Sequence, residues 1–212
     1  MEEFNTIAEN VEITAEVVEK KSKFVANLFY INSTVEAEEL IRKMKKKYHD
    51  AKHNCIAYRV IENGQVIERS SDDGEPSGTA GAPMLSILQK NNLYNILVVV
   101  TRYFGGLLLG TGGLVSCYSE ATLEALGKAP RVLKCMGVEA KIELDYPSLE
   151  IFKYYCKNKE INITELEYLD KIICKIETEN SKIDKLMEDI SLKNIIVKEI
   201  TILNKKYISK SI

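Results

Sequence analysis

The sequence predicts an α+β protein with two domains. Short β-branched strand patterns and amphipathic helix patterns follow one another along its 212 residues, and ten of its eleven glycines lie before residue 130. Beyond that point the composition becomes rich in Ile, Lys and Glu. We therefore expect a boundary within KAPRVLKCMG (128–137), which gives a first domain of residues 1–134 and a second domain of residues 135–212.

The first domain opens with two predicted strands and a helix. The segment VEITAEVVEKKSKFVANLFYI (11–31) is rich in Val and predicts two strands joined at residues 19–23. In the following segment, Ser33 with Glu36 three residues later forms a capping box, which predicts the start of a helix. The basic run RKMKKK (42–47) on this helix is interpreted as a solvated face, with contact to RNA phosphates as the alternative.

The rest of the first domain contains a hairpin, a short helix, a buried strand and a longer helix. The strands HNCIAYRVI and QVIERS flank Asn63-Gly64, which is a strong hairpin turn signal. PMLSILQKN (83–91) predicts a short helix, and the uninterrupted apolar run ILVVVT (96–101) predicts a strand in the middle of the sheet. A second helix is expected to follow Gly113, through LVSCYSEATLEAL.

Six patterned segments make up the second domain, in the order strand, helix, strand, strand, helix, strand. They are GVEAKIELD (137–145), PSLEIFKYYCKNK (147–159), INITELEYL (161–169), KIICKIETE (171–179), SKIDKLMEDIS (181–191) and NIIVKEITIL (194–203). This β-α-β-β-α-β order predicts a ferredoxin-like domain.

Composition limits the classes of function. With 45% hydrophobic residues, 28% charged residues and a net charge of −2, any nucleic-acid binding must depend on a local basic patch. The apolar runs are far shorter than a membrane span, and the N-terminal MEEFNTIAEN lacks the features of a secretory signal. Five cysteines without a C-x-x-C pair argue against a disulfide framework or a zinc site, so we expect a cytoplasmic protein with no membrane partner.

Two glycine-rich segments, SGTAGAPML (77–85) and LGTGGLVSC (109–117), echo one another before predicted helices. Glycines let a ligand approach the backbone, and a helix N-terminus favours an anion. The residues predicted to bind a phosphate or nucleic acid are therefore Gly78, Thr79, Gly81, Gly110, Thr111, Gly112 and Gly113. We expect the two turns to face a common cleft with Arg102; the alternative is that both are tight helix caps. Neither is a Walker A loop, because no Lys follows the second glycine.

Three acids, Asp72, Asp73 and Glu75, run directly into the first of these segments. They could ligate a divalent cation that bridges to a phosphate. They could instead organise the loop by accepting backbone N–H groups, or by pairing with Arg102. We favour the structural role, so the sequence predicts no metal site.

The segment VVVTRYFGG (98–106) places Arg102 and Tyr103 at the end of the buried strand, where ligands commonly bind. Arg102 could bind a phosphate or form an ion pair with Asp72 or Asp73, and Tyr103 could stack on a base. Gly105 and Gly106 complete the predicted ligand-binding set, whereas Phe104 is expected in the core.

Catalytic groups are not evident in the sequence. His53 and Cys55 lie two apart on one predicted strand and so face the same side, but nothing indicates a depressed thiol pKa. A buried structural cysteine is the favoured interpretation. The sequence therefore predicts no catalytic residue and no cofactor.

Four segments together resemble one known family: KKSKF (20–24), AKHNCIAYR (51–59), SDDGEPSGTAGAPML (71–85) and VVVTRYFGGLLLGTGGLVSCY (98–118). They are similar to the IMPACT family, and specifically to its bacterial YigZ branch, over most of residues 15–128. Residues 137–204 are similar to the small C-terminal domain of the same branch.

The resemblance implies a first domain of the ribosomal protein S5 domain 2 type, followed by a ferredoxin-like domain. Both folds occur in translocating elongation factors, so the resemblance implies a translation-linked role. The first hypothesis is a non-enzymatic factor that binds RNA, a ribosomal particle or a translation-related protein through the N-terminal domain. The alternatives are an enzyme acting on a phosphorylated small molecule held by the paired glycine turns, and a protein-interaction regulator working through the C-terminal sheet.

Overall fold

The computed structural model describes residues 3–210, which divide into two compact units, 3–132 and 133–210. Each unit combines helices with one β-sheet, so the α+β prediction is confirmed. The elements of the first unit are β1 (Glu3–Ile7), β2 (Ile13–Glu19), β3 (Ser22–Tyr30), α1 (Thr34–Lys47), β4 (His53–Glu62), β5 (Gln65–Ser71), α2 (Gly81–Lys90), β6 (Ile96–Tyr103) and α3 (Gly110–Lys128). The next strand, β7 (Arg131–Leu144), spans the boundary between the units.

The first sheet has the strand order β2-β3-β6-β4-β5, with every neighbouring pair antiparallel. The predicted buried strand is its central strand, β6, and Ile96–Val100 are fully buried there. Successive side chains of a strand point to opposite faces. Val98 and Val100 therefore pack in one core with α2 and α3, while Leu97 and Val99 pack in a second core with α1. Helices thus cover both faces of this sheet.

Local turn and capping signals decide where several elements meet. The β2–β3 turn uses Lys20 and Lys21, whose φ angles of 45° and 64° are left-handed. Asn63 and Gly64, at φ 52° and 76°, close the predicted β4–β5 hairpin. Ser33 caps α1 by accepting a hydrogen bond from the Glu36 N–H at 3.1 Å.

Two helices begin earlier than the sequence predicted. α2 begins at Gly81 rather than Pro83, and α3 begins at Gly110 rather than after Gly113. In α3 the apolar periodicity starts only at Leu114, so the glycine-rich first turn resembled a loop. The first N–H groups of a helix have no intrahelical acceptor, so the first turn is defined by what satisfies them rather than by hydrophobic spacing.

At the start of α2, those groups are satisfied by Asp72. Its carboxylate accepts hydrogen bonds from the backbone N–H groups of Gly78 at 2.8 Å, Ala80 at 3.0 Å and Gly81 at 2.8 Å. Burial alone would raise the pKa of Asp72, but these three hydrogen bonds outweigh it and lower the pKa below its usual value. The hydroxyl of Thr79 donates to the Pro76 carbonyl at 2.7 Å and does not cap the helix. The chain itself therefore supplies the anion at this helix start.

The second unit continues from β7 with the element order β-α-β-β-α-β that the sequence predicted. Its elements are a 3-10 turn (Tyr146–Ser148), α4 (Leu149–Asn158), β8 (Asn162–Tyr168), β9 (Ile172–Glu179), α5 (Asn180–Ser191) and β10 (Glu199–Ser209). Within residues 133–210 the strand order is β10-β7-β9-β8, and these three neighbouring pairs are antiparallel. Phe152 of α4 and Leu186 of α5 pack with Ile142 and Ile176 in a separate core.

Within residues 3–210, the helices are too short or too polar for any of them to cross a membrane. All five cysteines are buried.

We predict that a chain ending at Lys134 folds without the second domain. The first unit has two apolar clusters of its own, one on each face of its sheet, so it contains the interactions that a cooperative transition requires. Circular dichroism during heating should show a single sigmoidal unfolding transition for this chain. A soluble chain that loses its signal gradually, while the full-length protein unfolds cooperatively, would show that the first unit depends on the second.

A second prediction concerns the α2 cap. Asp72→Ala should lower the free energy of unfolding by roughly 0.5–2 kcal/mol at neutral pH, as loss of a helix N-cap does. Because folding lowers the pKa of Asp72, its contribution is complete above the unfolded-state pKa and is lost as the pH falls through the native pKa.

The stability difference between wild type and the Asp72→Ala variant should therefore shrink on acidification, as measured by urea unfolding across the acidic range. Glu12→Ala, which removes an exposed carboxylate outside the cap, is the control. Equal stability of wild type and Asp72→Ala at neutral pH, or a difference that grows with acid, contradicts the assignment.

Candidate functional site

A cleft of about 450 Å³ opens in the first unit, where the end of β6, the start of β4, the loop after β5 and the start of α3 meet. The residues that line it are Lys52, His53, Gly74, Glu75, Pro76, Arg102, Phe104, Leu108, Leu109, Gly110, Thr111 and Leu114. The lining therefore combines apolar side chains with charged groups and the N-terminus of a helix.

Arg102 is the buried cation of this cleft. The strand register places it between Phe24 of β3 and His53 of β4, and it is only 6% exposed. Its Nη1 donates to Glu75 Oε1 at 2.7 Å, and its guanidinium carbon lies 5.5 Å and 5.6 Å from the ring centres of Phe24 and Phe104. Among the described residues, its buried Nε has no hydrogen-bond acceptor. Arg102 therefore has donor capacity that the protein itself leaves unused.

Glu75 balances the charge of Arg102. Its Oε1 also accepts a hydrogen bond from the Tyr118 hydroxyl at 2.9 Å, and His53 Nε2 lies 3.8 Å away. Burial, the neighbouring Cys55 and Glu75 together raise the pKa of Tyr118 far above its usual value, so Tyr118 remains a protonated donor. Removing one member of a buried ion pair typically costs about 3–5 kcal/mol, so these residues also hold the fold.

His53 and Cys55 face the same side of β4, as their spacing predicted, but they do not form a nucleophilic pair. His53 Nδ1 donates to the Asp73 carbonyl at 2.8 Å. The Cys55 sulfur lies 3.0 Å from the Asp72 carbonyl oxygen and 3.3 Å from the Tyr118 hydroxyl. Burial raises the pKa of Cys55 to about 12, so the thiolate is scarce at neutral pH. The interpretation of Cys55 as a buried structural cysteine is confirmed.

The start of α3 differs from the start of α2. Gly110 and Thr111 line the cleft, and among residues 3–210 no carboxylate accepts from the N–H groups of its first turn, as Asp72 does at α2. Gly110 has a φ of 71°, which favours glycine. The N-terminal N–H groups and the positive end of the helix dipole thus lie at the wall of the cleft, on the side where Arg102 also lies.

The structure separates the predicted ligand residues into two groups. Arg102, Gly110 and Thr111 line the cleft together with Glu75, and Gly112 and Gly113 lie in the first turn of α3 beside them. In contrast, Gly78 and Gly81 bind Asp72 and do not line the cleft, and Thr79 is buried.

Tyr103 and Asp73 lie outside the cleft lining. The Tyr103 hydroxyl donates to Asp50 at 2.9 Å. Asp73 accepts from Lys45 at 2.6 Å and from the Asn54 N–H at 2.7 Å. These contacts and those of Asp72 join the loop after β5 to α1, β4 and the start of α2. Among the described residues, no group of three or more His, Cys, Asp or Glu is placed so that it could hold a metal ion.

Gly105 and Gly106 are explained by backbone packing and backbone conformation. A Cβ at Gly105 would lie 2.0 Å from the carbonyl carbon of Lys21, so only glycine fits against the β2–β3 turn. Gly106 has a φ of 86°.

Two interpretations of the β6 end were wrong. Phe104 is 49% exposed and lines the cleft instead of packing in the core, because Gly105 and Gly106 turn the chain away from the sheet directly after it. The acid paired with Arg102 is Glu75, not Asp72 or Asp73, because those two carboxylates are already engaged by backbone N–H groups.

Sequence reasoning also missed several cleft residues. Lys52 and Leu108 carried no motif of their own, and the role of Tyr118 depends on a contact between α3 and a loop 43 residues earlier. The available signal was the run of three leucines between glycines in GGLLLG (105–110). Two of them, Leu107 and Leu108, are exposed, and adjacent exposed leucines are unusual on a surface.

Comparison with known proteins places this unit in a family. A family model described as the Impact N-terminal domain matches residues 20–126. IMPACT family member YvyE of Bacillus subtilis (strain 168) is 38% identical over 157 residues, which cover 74% of this chain and 72% of that protein.

Two further matches extend the comparison. IMPACT family member YigZ of Escherichia coli (strain K12) is 36% identical over 148 residues, covering 68% of this chain and 72% of that protein. A solved structure entitled "Crystal structure of an hypothetical protein" covers 96% of this chain and 97% of its own, with a TM-score of 0.61 and 27% identity. On this evidence, the chain belongs to the bacterial YigZ branch of the IMPACT family.

Proposed function

We propose that this protein is a non-enzymatic, translation-associated factor that binds RNA or a ribosomal particle through its first unit. One observation carries the proposal: a buried arginine lines the cleft, and its Nε has no hydrogen-bond acceptor among residues 3–210. A planar guanidinium matches phosphate oxygens in geometry and charge. Lys52 and the start of α3 add positive potential to the same cleft. The partner of this cleft is therefore a phosphate-bearing one.

We further propose that the first unit has the ribosomal protein S5 domain 2 fold and the second a ferredoxin-like fold. The β-α-β-β-α-β order and the antiparallel strand order β10-β7-β9-β8 support the second assignment. The family resemblance supports the first, and it also motivates the link to translation.

Charge pairing favours the first unit over the second as the phosphate-binding unit. Several lysines in or beside the second sheet are paired with its glutamates. These pairs are Lys141 and Lys171 with Glu143, Lys175 with Glu165, and Lys206 with Glu139 and Glu177. A lysine already paired in this way offers less attraction to a phosphate. The unused donors of Arg102 lie in the first unit.

Binding is favoured over covalent catalysis because the nucleophilic groups nearest the cleft are engaged. The Cys55 thiol has a pKa of about 12, and the Glu75 carboxylate is held by Arg102 and Tyr118. Five buried cysteines without a C-x-x-C pair support a location in a reducing cytoplasm.

A second candidate function is an enzyme acting on a phosphorylated small molecule. The size of the cleft favours it, because about 450 Å³ lies within the range of small-ligand sites. His53 lines this cleft and would be its acid–base group.

Substitution of Arg102 tests the proposed function. Arg102→Lys keeps a positive charge opposite Glu75 but removes Nε and the planar fork, so it should weaken RNA or ribosome binding by about tenfold to hundredfold, which corresponds to roughly 1.5–3 kcal/mol. Fluorescence anisotropy with labelled single-stranded RNA and co-sedimentation with ribosomes, both at one stated salt concentration, measure the change. Thermal unfolding is recorded for each variant.

Arg69→Lys is the matched control, because Arg69 is an exposed arginine of the same unit that pairs with Glu38. The double variant Arg102→Met with Glu75→Gln removes both charges, and so avoids leaving one of them buried alone. If both Arg102 variants fold and bind RNA and ribosomes as the wild type does, the proposed role of the cleft is wrong.

A further inference from the structure

Building on the proposed function, we propose that the cleft binds one unpaired nucleotide of an RNA. Its phosphate would lie at the first turn of α3 beside Arg102, and its base would lie against Phe104. Three independent features of the first unit support this assignment: a comparison between two helix starts, the hydrogen bonding of Arg102, and the exposed apolar side of the cleft.

The start of α2 shows which kind of group a glycine-rich helix start binds in this protein. Residues 78–81 are Gly-Thr-Ala-Gly and residues 110–113 are Gly-Thr-Gly-Gly. The first copy donates three backbone N–H groups to the Asp72 carboxylate. At the second copy, unlike the first, no hydrogen bond joins these N–H groups to a carboxylate among residues 3–210, and this helix start lies at the cleft. The second copy is thus a site of the same kind whose anion comes from outside the chain.

Gly112 strengthens this comparison. A Cβ built on Gly112 would meet no heavy atom within 4 Å, and its φ is not left-handed. Neither packing nor backbone conformation therefore requires glycine at this position, although glycine is a poor helix former. A ligand that approaches the backbone closely supplies a reason for it.

The second feature is Arg102. Its side chain is 7% exposed, it lines the cleft, and its Nε has no acceptor among the described residues. Buried donors are nearly always hydrogen-bonded, so an acceptor is expected there. Glu75 already neutralises the charge of Arg102, while Lys52 and the α3 dipole keep the cleft positive. A phosphate has enough oxygens to accept from both the helix N–H groups and Arg102.

The third feature distinguishes a nucleotide from a simple phosphate. Phe104 is 49% exposed and Leu108 is 86% exposed, and both line the cleft beside the anion-binding groups. An exposed aromatic ring next to a phosphate site provides a surface on which a base can stack. A base inside a duplex is already stacked on its neighbours, so the nucleotide that reaches Phe104 must be unpaired.

The test uses the full-length protein with AMP, inorganic phosphate and a short fluorescein-labelled oligoadenylate as probes. Thr111 is exposed in the first turn of α3, so Thr111→Asp adds a carboxylate at this helix start, and Thr111→Asn has a similar shape without the charge. Isothermal titration calorimetry should show that the Asp variant binds AMP at least about tenfold more weakly than the Asn variant. Its melting temperature should be unchanged or higher, because an acid at a helix start is stabilising.

Two further variants define the site. Ser181→Asp adds the same charge to the first turn of α5 in the second unit, and it should leave AMP binding unchanged. Phe104→Ala should weaken AMP binding while leaving phosphate binding as it was. Equal AMP affinity of the Asp and Asn variants of Thr111 would overturn the assignment. It would also be overturned if the wild-type protein bound inorganic phosphate as tightly as AMP, or bound neither of them.

Oligoadenylate binding separates this inference from the proposed function. If oligoadenylate binds and Thr111→Asp does not weaken it, the nucleotide site is wrong while RNA binding stands. If AMP binds with the expected pattern but neither oligoadenylate nor ribosomes bind, the nucleotide site stands and the role in RNA binding is wrong.

Discussion

The ion pair between Arg102 and Glu75 joins the separate parts of the first unit at one buried point. Arg102 ends β6, Glu75 belongs to the loop after β5, and Tyr118 of α3 donates to the same carboxylate oxygen. A buried charge that loses its partner is costly, so neither the loop nor α3 can move away from β6 freely. The floor of the cleft is therefore fixed before any ligand binds, and preorganisation of this kind lowers the cost of binding.

This arrangement explains how three acids can run into a glycine-rich helix start without repelling a phosphate. Asp72 is the anion of α2, Asp73 accepts from the backbone of β4, and Glu75 neutralises Arg102. Each carboxylate has donors within the fold, so none of them is free to oppose a ligand. The anion-binding capacity that remains belongs to α3, whose glycines lie 32 residues after those of α2.

Local signals were sufficient to predict most of the fold. Asn63-Gly64, the capping box at Ser33 and the apolar run of β6 each depend on short-range chemistry, and each element formed as predicted. The start of α3 was misplaced because glycines suit a loop and a helix N-terminus equally well when no acceptor is visible.

The site was harder to predict because its members meet only through the register of the sheet. Arg102 was identified from its residue type and its place at a strand end. Its partner was not, because three carboxylates within four residues are equivalent in sequence. Which of them reaches Arg102 depends on the left-handed backbone at Asp73 and Gly74, with φ angles of 44° and 87°. The exposure of Phe104 likewise follows from the close approach of Gly105 to Lys21, a contact between the loop after β6 and the β2–β3 turn, which are distant in sequence.

The burial of all five thiols has a practical consequence for spectroscopy. Cys55, with a pKa of about 12, and Cys156, raised to about 12 by burial, react poorly with maleimides at neutral pH because the thiolate is the nucleophile. A cysteine introduced at Leu108, which is 86% exposed at the rim of the cleft, would therefore be labelled far faster than any native thiol. A fluorophore or spin label attached there would report on events at the cleft without first removing the native cysteines from the core.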